Sequence, residues 1–223
     1  MSHESWWSVP IAAWLLAQAP VSTGSGPTEL TVDAASSHVV IQVGKAGIFG
    51  FAGHAHEVAA ADLRGEVSVD QADLSRSSVS LDFGAAALRV TGKDEPPADV
   101  GEVQRVMLSD RVLDVARFPL ISFRSRRVSV VARKATAADL LIEGDLTLHG
   151  TTRPVTFRAS ATFGAGGLLT VQGSCPLMQS DFGMVPVTAA GGAVRVRDQV
   201  DIQFVISARP HESPPDGPAG TGR

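Results

Sequence analysis

The side chains best suited to chemistry lie in the run Gly53-His54-Ala55-His56-Glu57. In an extended chain alternate residues share a face, so His54 and His56 point the same way and offer a metal ion two imidazoles. A zinc site takes three or four ligands, so His38, His149 or Glu57 would have to arrive from elsewhere in space. The competing reading is a polar cluster at the rim of the fold, and both stay open at this point. Ser174, Ser180 and Asp181 raise the thought of a Ser-His-Asp hydrolase, but no G-x-S-x-G elbow and no strand-helix alternation is present to carry one. Asp181 reads better as a turn cap, Phe182 as a plug or a ligand contact, and His149 as a partner for nearby backbone. The single cysteine, Cys175, excludes an internal disulfide and a cysteine-based zinc site, and its apolar neighbours mark it as buried. No phosphate-binding loop, dinucleotide fingerprint or paired-carboxylate motif occurs.

The elements that would position these residues are strands. From Leu140 to Phe163 two alternating patterns face each other: Leu140, Ile142, Leu146 and Leu148, then Val155, Phe157, Ala159, Ala161 and Phe163, with polar residues between them. This predicts a long hairpin turning at Gly150 to Pro154. A two-stranded ribbon is marginal alone, so more strands must cover its apolar face. They are available at Glu29 to Gly44, with Val39, Ile41 and Val43 on one face, at Gly65 to Val69, and at Ser77 to Val90. Others follow at Phe118 to Ser125, Leu168 to Leu177, and Val194 to Ile206. Thr91 to Arg117 alone has a helical spacing, through Val103, Met107, Val112 and Val115, and predicts a helical excursion near residues 98–116 that packs across the fold. Short joins between about eight strands favour an all-β antiparallel, up-and-down barrel, whose interior has room for side chains or one small ligand. The inward small residues Gly144, Ala159, Ala161 and Gly173 predict unfilled volume beside Phe83, Phe123, Phe157, Phe163 and Phe204.

The stretch GDLTLHGTTRPVTF (residues 144–157) resembles the "G-x-LTLHG-x-x-x-PV" signature of the YceI family, the lipocalin-like polyisoprenoid-binding proteins. Phe118 to Ser125 is similar to the family's "fPxIxFxS" strand. Gln179-Ser180-Asp181-Phe182-Gly183 resembles its "R-S-D-F-G" loop with Gln in place of Arg. The family's "D-x-x-HS" start appears as Asp33 to Ser37, with Ser36 at one histidine position and Lys45 at the other. The resemblance covers Glu29 to Ala208. It implies a lipocalin-like barrel and the binding or transport of a polyisoprenoid, such as an isoprenoid quinone or a prenyl phosphate, in the cell envelope.

Composition limits the partners. Of 223 residues 44% are hydrophobic, enough for a core, but a net charge of −4 without a basic run excludes a nucleic-acid footprint. Trp6 to Leu16 is a short apolar run followed by Ala17-Gln18-Ala19, the form of a signal-peptidase site. The chain thus divides into residues 1–28 as signal segment and linker, 29–208 as the barrel, and 209–223 as a disordered tail. The expectation is a non-enzymatic carrier of an apolar isoprenoid lipid, periplasmic or secreted, needing no cofactor and touching a membrane transiently. Phe83, Phe123, Phe157, Phe163 and Phe204 would hold the lipid, with Phe49, Phe51, Met107 and Phe182 nearer the entrance. Its rivals are a metal-binding protein or metal-dependent enzyme of the envelope using His54 and His56, and a structural interaction domain with a filled barrel.

Overall fold

The structure is a computed structural model that describes residues 26–46, 56–93, 95–189 and 194–211. The strands are β1 (Thr28–Val32), β2 (His38–Ala46), β3 (His56–Ala60), β4 (Arg64–Val69), β5 (Ser78–Gly84) and β6 (Leu88–Val90), then β7 (Leu120–Arg133), β8 (Ala137–Leu148), β9 (Thr151–Phe163), β10 (Leu169–Met178), β11 (Thr188–Ala189) and β12 (Val194–Pro210). One α-helix, α1 (Pro97–Leu108), interrupts them. Eight strands close an antiparallel barrel in the order β1, β4, β5, β7, β8, β9, β10, β12, because β1 pairs with β4 on one side and with β12 on the other. The expected barrel is therefore present.

Closure depends on a break. Glu29 to Gly44 was expected as one strand, but Asp33 ends β1 by accepting Ala35 N–H with its carboxylate at 3.1 Å, and the chain makes one 3-10 turn over Ala34–Ser36. The short polar side chains of Asp and Ser compete with ladder bonds in this way. β1 then pairs with β4 and the last residues of β12, while β2 pairs with β3 and the earlier part of β12. The step is secured around two buried serines. Asp33 N–H donates to Ser207 O at 2.8 Å, Ser207 N–H to Ser37 Oγ at 3.0 Å, and Ser37 O–H to Asp33 O at 2.7 Å.

The barrel is closed only through one half of its length. In the other half the branch β2, β3, β6 ends at β6 without a ladder to β7 among the described residues, and β9 parts from β10 beyond the Ala159–Gly173 pair. Gln104 of α1 covers the free edge of β6. Its carbonyl accepts Val90 N–H at 2.8 Å, and its amide donates to Leu88 O at 2.9 Å. A side-chain amide thereby completes a strand edge that would otherwise carry unpaired backbone. The helix ends at Leu108, short of the excursion near 98–116, and Ser109 to Phe118 is a string of turns in which Asp114 takes a φ of 44°. The helix buries no residue fully and meets the barrel at the edge of β6. Its apolar face, Val100, Val103 and Met107, still packs on the core.

The central hairpin follows the expected faces, with Leu140, Ile142, Leu146 and Leu148 buried and paired across to β9. Its turn is shorter than expected. His149 (φ 50°) and Gly150 (φ 70°) alone make it, and Thr151 already faces Leu148 in the ladder. Positive φ at both central residues is the hairpin turn whose twist matches the strands. A Cβ on Gly150 would collide with the Phe118 ring, so the position excludes larger residues twice over.

Ser37→Ala would strand the buried Ser207 N–H, and leaving such a donor unsatisfied costs about 1–3 kcal/mol. Denaturant unfolding should show a loss of that order; unchanged stability would mean that the bonds around Ser37 do not hold the break.

Candidate functional site

The barrel has two distinguishable ends. At the tip end stand the β7–β8 and β9–β10 turns and the loop from Asp70 to Ser77; at the plug end stands the β8–β9 turn. The plug end is filled. Phe182, in the 3-10 turn Gln179–Phe182, is 1% exposed and sits among buried Leu148, Leu177, Met184 and Val200. The turn occupies the gap between β9 and β10 and is fastened on both sides. Arg153 Nε donates to Asp181 O at 2.8 Å, the His149 ring nitrogen Nδ1 lies 3.2 Å from Phe182 O, and Ser180 N–H donates to Asp198 at 2.8 Å. The Asp198 carboxyl lies below the usual carboxylate range, chiefly because Ser180 O–H also donates to it. Gln179 is buried and donates to Arg197 O at 2.8 Å. His149 thus meets backbone, as expected, but from across the barrel end, and it also stacks edge-on against Phe118 at 4.6 Å.

Between the plug and the tip end lies a cavity of about 150 Å³. Of the residues in its wall only Ser77, Ser78 and Cys175 carry a polar side-chain atom. The wall contains Phe83, Phe123, Phe157, Phe163 and Phe204, the five aromatic rings expected inside. Phe157 is the centre of a row, 5.5 Å from Phe123 and 5.4 Å from Phe204 between ring centroids, in the tilted and edge-on arrangements aromatic pairs prefer. Met107 and Phe182 stand outside the wall, the first on α1 and the second in the plug. Phe49, Phe51 and His54 lie outside the described residues.

The reason for the cavity differs from the expected one. Gly144 and Gly173 do not leave empty space: a Cβ on Gly144 would come within 2.6 Å of the Phe123 ring, and one on Gly173 within 2.8 Å of Phe204 Cζ. Each glycine is a seat for a ring on the neighbouring strand. The sequence reading also missed Leu74, Ser77 and Val128, which bound the space toward the tip end. Val128 is three residues beyond the strand read at Phe118 to Ser125, and a register shift between Ser125 and Arg127 hides its alternation.

The polar cluster is differently arranged. His56 Nδ1 lies 2.6 Å from Glu95 Oε1, with the Glu95 side chain 2% exposed, so β3 is tied to the turn before α1. Glu57 faces away from His56 and accepts from Gln42 at 2.8 Å, Lys93 at 3.2 Å and Thr91 at 3.2 Å. Its carboxyl is held below the usual range, first by the Gln42 hydrogen bond and then by Lys93, which fixes it as an anion engaged by its neighbours. Among the described residues no three His, Cys, Asp or Glu side chains are grouped to hold a metal ion.

Cys175 is 7% exposed and faces the cavity, and burial pushes its thiol above the ordinary value. Since the thiolate is the reactive form, alkylation should be slow at neutral pH and accelerate only above the ordinary thiol range. Reaction as fast as that of free cysteine would show that solvent reaches the cavity freely.

The family profile of the YceI-like domain matches residues 30–208. A UPF0312 protein of Pseudomonas putida (strain W619) is 34% identical over 99 residues, which span 44% of this chain and 45% of that protein. The chain thus matches less than half the length of this curated relative. Among solved structures, Burkholderia cenocepacia BcnA superposes with a TM-score of 0.63 at 19% identity, covering 79% of this chain and 98% of that one. A polyisoprenoid binding domain from Saccharophagus degradans does so with a TM-score of 0.57 at 14% identity, covering 81% and 98%. At such identities the superpositions speak for the fold. With the barrel, its signature hairpin and the profile match in agreement, the chain belongs to the YceI family.

Proposed function

We propose that this chain binds and carries an apolar lipid of the isoprenoid type, an isoprenoid quinone or a polyprenyl phosphate, in the barrel cavity, without catalysing a reaction. The observation that carries the reading is the closed barrel around an almost wholly apolar space. An apolar cavity of this kind stays dry, so a ligand need displace no ordered water to enter it. At about 0.8 kcal/mol per buried CH₂, one five-carbon unit contributes roughly 4 kcal/mol, so affinity is readily reached. The volume near 150 Å³ is the more severe limit. A cavity of roughly that size admits a benzene-sized guest, so the space takes one isoprene unit or a quinone ring as it stands. A longer chain needs the rings to swing from their seats or a tail that runs out past the tip end. The structure described as a polyisoprenoid binding domain adds support by its shared fold.

Native mass spectrometry of the protein purified from its own host should show an apolar isoprenoid bound, and a cavity that is always empty would overturn the reading. Phe157→Trp enlarges the central ring of the row and should reduce loading while the fold survives, since one overpacked position costs about 1–3 kcal/mol. Unchanged loading would remove Phe157 from the site.

We infer further that the protein works in the periplasm or outside the cell, a reading supported by the apolar run Trp6 to Leu16 and the Ala17-Gln18-Ala19 that follows. Cell fractionation with amino-terminal sequencing should find a terminus between Ala19 and Thr28 in the envelope or medium. An intact Met1 in the cytosol would overturn it.

A further inference from the structure

The tip end differs from the rest of the surface. β5 pairs with β7 only as far as Arg124, so β7 and β8 run on together beyond the barrel wall, steadied by Arg133 Nη2 donating to Gln71 O at 2.6 Å. The overhanging tip, Val130-Val131-Ala132-Arg133-Lys134-Ala135-Thr136, is exposed throughout, with Val130 42% and Val131 51% accessible. Beside it is the β9–β10 turn, Phe163-Gly164-Ala165-Gly166-Gly167-Leu168, which carries no charge. Phe163 N–H donates to Thr136 O at 2.9 Å, which joins the two tips into one platform.

Two features of the platform point to one kind of partner. It is apolar where a soluble surface is ordinarily polar: Val131 is at a register shift that turns it outward, while Val130 continues the inner row of Val128 beyond the cavity. The β7–β8 tip itself is also basic. From Arg126 to Ala138 there is no Asp or Glu, and among the described residues Arg133 and Lys134 form no ion pair, while the nearby acids are engaged elsewhere: Asp70 with Arg76, Asp73 with Ser75 and Asp139 with Ser160. The chain as a whole carries −4, so on an anionic surface the basic pair Arg133 and Lys134 is the favoured point of approach. The apolar wall at Phe163 and Leu74 lies directly behind the platform.

We propose that the tips at residues 130–137 and 163–168 dock the barrel, tip end first, onto the surface of an anionic lipid bilayer. Val130 and Val131 enter the headgroup layer, Arg133 and Lys134 meet lipid phosphates, and the cavity faces the membrane along the path a lipid tail would take. The proposal deepens the lipid-carrier reading and takes its purpose from it, while the docking itself is measured independently.

Sedimentation of the full chain with vesicles tests the docking. Binding is expected to vesicles containing phosphatidylglycerol, to weaken as salt is raised, and to be far lower on phosphatidylcholine alone. At about one kcal/mol for each basic residue near an anionic surface, R133E/K134E should weaken binding by more than tenfold. Val131→Asp should weaken it as well, while Arg111→Glu, away from the tips, should leave it unchanged. Failure of the wild type to sediment with anionic vesicles, or equal binding by R133E/K134E, would overturn the proposal. A second measurement separates it from the carrier reading: uptake of a water-soluble farnesyl probe compared with uptake of the same probe from vesicles. Wild-type uptake from solution with loss only of vesicle transfer in R133E/K134E supports docking as proposed. Absence of probe uptake by every form defeats the carrier reading and leaves docking to be judged on sedimentation.

Discussion

The architecture depends on a strand that has to serve two sets of neighbours. β1 and β2 form one line of chain, yet β1 faces β4 and β2 faces β3, and β12 runs beside both. A straight strand could not turn its edge in this way without losing ladder bonds. The Asp33 to Ser37 step supplies the turn, and Ser37 and Ser207 return the bonds lost there. With the step in place the barrel closes through its tip half and opens through its plug half. Both openings are covered by short pieces of chain that cost few residues: Gln104 on the edge of β6, and the turn at Gln179 to Phe182 between β9 and β10.

The same division separates polar from apolar function. The plug half carries the close contact of His56 with buried Glu95, which ties β3 to the turn before α1, and the Glu57 cluster, which adds Thr91 and Lys93 to the paired β2 and β3. A buried carboxylate is costly unless paired, which suits it to specify a single arrangement where hydrophobic contacts would tolerate several. The tip half carries almost no polar side chains inside. The cavity wall is therefore apolar, and the serine bonds that support it, Val79 N–H to Ser125 Oγ and Asp70 N–H to Ser77 Oγ, satisfy backbone that the ladders leave over.

What the sequence made legible were features that repeat or punctuate locally. The period of two along Leu140 to Phe163 identified the buried positions of β8 from Leu140 onward, though not Ala138 before it, because one face meets the core along its whole length. The five inward phenylalanines were found for the same reason. The break at Asp33 was not, since its cause is the pairing of residues 170 positions apart. The motif residues Asp33 and Ser37 were visible as a resemblance, but their purpose appears only when Ser207 stands beside them. The hairpin turn was overestimated because Pro154, ordinarily a mark of a loop, here occupies an exposed position in β9 opposite Asp145. Glycine misled in the opposite sense: absence of a side chain was taken for empty space, when a neighbour's ring had filled it.

That last point bears on how the bore of such a barrel is calibrated. The Phe123 ring keeps its place only because Gly144 is bare, and Phe204 only because Gly173 is. A methyl group at either glycine would meet both the ring and a neighbouring backbone carbonyl, so the bore is set in part by positions that do not line the cavity. Two barrels with identical aromatic linings would then differ in capacity if their seats differed. Under the carrier proposal, rotation of a seated ring would widen or narrow the bore while every strand stays in register, so that one wall would accept guests of unequal girth.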